Sequence, residues 1–139
     1  MMWKEKYRIG VKRIDEQHEE LFRRVESFLK ALRQEGAWKE KLAKVKETLD
    51  FMGSYVVTHF ADEEQYQKEI RFSGYEKHRQ VHEKFKAEVE NYVEKFSKEG
   101  FDEDLVQEFG GKLMAWLINH VAGADQQIGQ YAAKMAGEV

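Results

Sequence analysis

Cysteine and proline are both absent from the 139 residues. Without cysteine there is no disulfide, thiolate zinc site, iron–sulfur cluster or catalytic thiol, so any metal here must rest on nitrogen and oxygen. Without proline nothing breaks a helix from within, and the plentiful Glu, Lys, Ala and Leu suit long helices better than strands and tight turns. Long apolar runs are missing too. No stretch of about 18 apolar residues occurs, so no membrane-spanning helix is expected. Residues 1–10 carry Trp3, Lys4, Glu5, Lys6, Tyr7 and Arg8 where a secretory signal would have its apolar centre. The net charge of -3 comes from interspersed acids and bases, without the basic patch that nucleic acid or an anionic membrane would call for. The expectation is a cytoplasmic protein with neither nucleic acid nor membrane as partner. The sequence points to no particular protein partner.

What is present is helical periodicity. Ile14, His18, Leu21, Phe22, Val25, Phe28, Leu29 and Leu32 recur at helical spacing and predict a helix over about 14–35, ending near Gly36. Leu42, Val45, Leu49, Met52, Val56, His59, Phe60, Glu63 and Tyr66 predict a second over about 38–70. His78, Val81, His82, Phe85, Val89, Tyr92, Val93 and Phe96 predict a third over about 74–98, with Ser73 as its N-cap and Gly100 as its stop. Asp102 can cap a fourth over about 103–132, whose stripe is Leu105, Phe109, Leu113, Trp116, Leu117, His120 and Val121. Four such helices hide their stripes most simply in an antiparallel up-down-up-down bundle, forming one domain over 1–139. An arm, residues 1–13, is expected to pack on it through Trp3 and Tyr7.

All five histidines fall on stripes assigned to the core. Any one of them alone reads as a core histidine with a hydrogen-bond partner. Five in one small bundle would need partners for every ring nitrogen, whereas metal ions satisfy one nitrogen of each. His78 and His82 stand four apart on one helical face, and His59 and Glu63 repeat that spacing with a carboxylate. A tetrahedral zinc site needs only four ligands, so the count points to two metals. His120 and Asp125 are five apart, about 140° round an ideal helix. They can face one site only if the backbone leaves regular α geometry, which Gly123 eases. From spacing alone, an exposed polar helix end is the readier reading of Asp125.

The segments Ile14-Asp15-Glu16-Gln17-His18 with Leu21-Phe22, His59-Phe60 with Glu63, His78 with His82, and Trp116-Leu117 before His120 with Asp125 resemble the hemerythrin signature, in order and over nearly the whole chain. The aromatic arm is similar to that of bacterial single-domain members. The resemblance implies two irons (Fe2+/Fe3+) bridged by Glu63, Asp125 and one oxo or hydroxo group, with His78, His82 and His120 on one iron and His18 and His59 on the other. That arrangement leaves one place vacant, on the iron with two histidines. It further implies reversible dioxygen binding at that vacancy, for carriage, storage or scavenging, in a pocket of Leu21, Phe60, Trp116, Leu117 and Val121. On this reading the protein is not an enzyme. Two alternatives stay open: an oxygen or redox sensor module, and a di-iron enzyme consuming peroxide or nitric oxide. Carboxylate-rich oxygenases use Glu-x-x-His motifs, and this chain has none. A sensor is usually joined to an output domain, for which 139 residues leave no room.

Overall fold

A computed structural model describes residues 3–135. After a single 3-10 turn at Glu5–Tyr7 come the helices α1 (Lys12–Arg33), α2 (Trp38–Glu69), α3 (Tyr75–Glu99) and α4 (Glu103–Asn119). A π-helical segment, His120–Ala124, joins α4 to α5 (Asp125–Met135), so the fourth long rod of the bundle is α4 and α5 with one widened turn between them. α1 packs on α2 and α4, and α2 packs on α3. The result is an all-α bundle of four major rods. No helix among the described residues is long and apolar enough to cross a membrane.

Helix ends follow the local chemistry. The Asp102 carboxylate accepts from Leu105 N at 3.0 Å and satisfies one of the free amides that open α4. Gly100, at φ +84, ends α3 while its N–H donates to Phe96 O. The start of α3 differs from expectation: its N-cap is Gly74, with no side-chain cap, and Ser73 lies one residue too early.

One half of the core is aromatic and aliphatic, with Phe28 and Phe109 edge to face at 6.2 Å and Tyr92 and Phe96 around them. Each such side chain removed from water contributes about 1.5–3 kcal/mol. Two positions on the expected α3 stripe, Val81 and Val93, are exposed. The stripe as drawn is wider than the face that α3 buries, and they lie on its edges.

The arm is tied down at several points. Trp3 and Tyr7 are buried and pack on Phe22 at 5.6 and 5.5 Å between ring centroids. Ile9 N and Gly10 N donate to the buried Asp15 carboxylate at 2.7 and 3.2 Å. At Gly129 the α5 backbone comes so close to the arm that an added Cβ would stand 2.8 Å from Ile9 O.

Candidate metal centre

Antiparallel packing sets where the polar stripe residues meet. The N-terminal half of α1, the C-terminal half of α2, the start of α3 and the end of α4 all lie at one end of the bundle. His18, His59, Glu63, His78, His82, His120 and Asp125 therefore converge there, and all seven are buried. Among the described residues, two groups offer ligand atoms close enough to hold a metal ion. One is His18, His59, Glu63 and Asp125; the other is Glu63, His78, His82 and His120.

The carboxylates divide their oxygens between the groups. Glu63 Oε1 lies 2.8, 3.1 and 3.6 Å from the Nε2 atoms of His78, His82 and His120. Its Oε2 lies 3.2 and 3.4 Å from those of His18 and His59. Asp125 repeats the division, with Oδ1 at 2.9 and 3.1 Å from His78 and His120 and Oδ2 at 3.0 Å from His18. Each carboxylate thus spans both groups.

The spacing of five between His120 and Asp125 is met by the π-helical turn, in which Asp125 N–H donates back to His120 O. Hydrogen bonding to the fifth residue widens the helix by one residue and brings Asp125 onto the face of His120. Asp125 is fully buried, so the exposed helix end suggested by spacing alone is corrected.

Charge follows from this geometry. Burial alone would lower His18, but hydrogen bonds and charge from Asp125 and Glu63 outweigh it and push it up to about 9. The same balance holds for His78 and His120, also pushed up to about 9. His59 has no close carboxylate hydrogen bond, so burial dominates and pushes it down to about 3. Burial opposes ionisation of Glu63, yet hydrogen bonds from His120, His18, His78 and His82 hold it well below the carboxylate range. Asp125 is likewise held low by His120 and His18, against burial and the Glu63 charge.

Among the described residues His59 Nε2 is buried with no hydrogen-bond partner, and the two buried Asp125 oxygens meet no donor except the imidazole nitrogens of the site itself. His82 Nε2 and His120 Nε2 face each other at 3.1 Å. Orphaned donor atoms converging from several helices are costly unless something binds them. Metal cations satisfy them all at once, so the residues fit such a group.

Two of the imidazoles are held from behind. His59 Nδ1 lies 2.7 Å from Gln17 Oε1, and the Gln17 amide donates to Asp62 Oδ2 at 2.7 Å, which Arg13 also meets. His82 Nδ1 lies 2.8 Å from Glu64 Oε2. An acceptor at Nδ1 keeps the proton there and leaves the Nε2 lone pair free for a metal. Neither supporting residue is marked by its spacing in the sequence. Gln17 lies next to His18 within the Ile14–His18 segment, and Glu64 follows Glu63, so adjacency to a site residue is the one signal either carries.

The apolar residues are placed unevenly. Leu21, Phe60, Leu117 and Val121 are buried in the main core cluster, whereas Trp116 is only partly buried. Phe60 stacks on His82 at 3.8 Å and Trp116 on His120 at 4.4 Å. Both rings therefore lie against the three-histidine group. Trp116 does so because it stands one turn before His120 on the same face.

Residues 9–132 match the family model described as Hemerythrin HHE cation binding domain. The chain belongs to the hemerythrin family. It is similar to the bacteriohemerythrin of Stenotrophomonas maltophilia (strain R551-3), 32% identical over 126 residues that cover 91% of this chain and 77% of that protein. It is similar also to the bacteriohemerythrin of Pseudomonas aeruginosa (strain LESB58), 28% identical over 125 residues covering 90% and 76%. That of Clostridium acetobutylicum is 24% identical over 127 residues covering 91% and 96%. The matched stretch therefore takes in all seven residues of the centre.

Proposed function

We propose that His18 and His59 hold one iron and His78, His82 and His120 a second, with Glu63 and Asp125 bridging them, and that this centre binds dioxygen reversibly. The observation that carries the proposal is the divided carboxylates, each with one oxygen toward either histidine group. The purely nitrogen and oxygen donor set suits iron. Two ferrous ions held by these residues would lend dioxygen one electron each, and a hydroxide held with them would lend the proton.

The chain's own residues set the conditions for return. Five imidazoles, each neutral as a metal ligand, and two carboxylates would hold the ions without adding much negative charge, which favours binding over oxidising chemistry. Gln17 and Glu64 fix the imidazoles of His59 and His82 with Nε2 turned inward. Leu21, Leu117 and Val121, in the same buried cluster, keep water and stray proton donors from the two-histidine side. Carriage, storage or scavenging in the cytoplasm, without nucleic acid or membrane as partner, is part of the same proposal, and the interspersed surface charge agrees with it.

Oxygen uptake tests it. Ferrous-loaded protein should take up dioxygen once and release it under argon, and a supplied reductant should not produce continuous consumption. Steady turnover of oxygen, peroxide or nitric oxide would make the protein an enzyme and overturn the proposal.

A further inference from the structure

A buried metal centre needs a way in, and the seven residues are not equally covered. His78 is 6% exposed, more than any of the other six. It also lines a surface hollow of about 370 Å³, bounded in part by Phe72, Lys77, Val81, Gly123 and Ala124. The hollow lies beside the π-helical turn. A Cβ built on Gly123 meets nothing within 4 Å, so the widened turn leaves open space there, and Ala124 adds little bulk. Behind the hollow, His78 Nε2 lies 2.8 Å from Glu63 Oε1 and 2.9 Å from Asp125 Oδ1. Leu21, Phe60, Leu117 and Val121, by contrast, are closed off, with none of them more than 2% exposed.

From this geometry we propose that the hollow is the port through which divalent metal ions enter and leave the centre, with His78 the first ligand they meet and the two carboxylates receiving them from it. The proposal rests on the reading that the seven residues hold metal. Among the described residues, Lys77 is the one other ionisable side chain lining the hollow. A cation in transit passes that ammonium, so Lys77 slows exchange in both directions and helps to retain the metal.

Cobalt(II) and the metal-free protein provide the test. Uptake is followed by visible absorption and release by transfer to EDTA, with bound cobalt counted at equilibrium. Lys77→Glu should speed uptake and release by roughly three- to tenfold at low ionic strength, a gain that shrinks in high salt as screening sets in. Val81→Phe should slow both severalfold by filling the hollow. Val93→Phe, at an exposed site lining a different hollow, should match the parent. Unchanged rates in Lys77→Glu, at full cobalt content, would overturn the port while leaving the metal reading intact. Failure of the parent to bind cobalt would overturn both.

Discussion

Replacing Gln17 by Leu tests whether the residues behind the ligands matter. The substitution keeps the bulk of a nearly buried side chain but removes the acceptor 2.7 Å from His59 Nδ1. His59 is 1% exposed, so water cannot easily replace the amide. A buried ring N–H left unpaired costs about 1–3 kcal/mol. Alternatively the proton moves to Nε2, where it blocks the metal. Loss of such a supporting hydrogen bond typically lowers metal affinity by about 10- to 100-fold, which is about 1.4–2.7 kcal/mol and agrees with the first figure. Glu64→Gln should weaken binding less, because the amide oxygen still accepts from His82 Nδ1 and the Glu64 side chain is 17% exposed, leaving room for water. Competition between the protein and a calibrated chelator for cobalt(II) reads both affinities. Less than a twofold loss in Gln17→Leu would show that the Gln17 amide does not support His59 as a ligand.

Three further outcomes are expected. Leu117→Ala should cost about 2–5 kcal/mol by emptying a buried site yet retain metal, and its oxygenated form should autoxidise faster as water enters; a half-life equal to the parent's would show that Leu117 does not guard the pocket. Gly129→Ala should lower the melting temperature by several degrees and shift Trp3 emission to longer wavelength. The new Cβ meets Ile9 backbone atoms at 2.8–3.0 Å and pushes the arm away, so unchanged melting and emission would refute that contact. In the metal-free protein, His18, His78 and His120 have folded values raised to about 9, above the ordinary 6.5. Their stabilisation is thus full below pH 6.5 and lost as pH rises through about 9. His59, lowered to about 3, instead costs stability as pH falls below 6.5. Metal-free protein should therefore melt lower at pH 9.5 than at pH 6.5, while the metal-loaded form, its imidazoles already deprotonated, should lack that alkaline loss. Equal pH dependence in the two forms would contradict the charge assignment.

The parts of this molecule legible in its sequence are those set by position along a helix. His59 with Glu63, and His78 with His82, announce a shared face because residues four apart always share one. The heavy use of helix formers without proline foretells the bundle. The π turn was half legible: the spacing of His120 and Asp125 shows that regular geometry fails, and Gly123 shows where it can give way, but spacing alone favoured an exposed Asp125. What stayed hidden depends on how one helix faces another. Nothing in the chain near Gln17 says that its amide will meet His59 across the α1–α2 interface, or that Glu64 rather than a neighbouring acid will reach His82. Val81 and Val93 look like core residues by spacing, and only the packing of α3 shows them at the edges of its buried face.

A two-metal centre that takes up oxygen and gives it back has a distinctive spectrum. Its most direct measurement is anaerobic loading with ferrous iron, a count of bound metal, and visible spectra through repeated cycles of air and argon. Two irons per chain are expected, with an absorption that appears in air and vanishes under argon. A single bound zinc, or irreversible bleaching on first exposure to air, would contradict it.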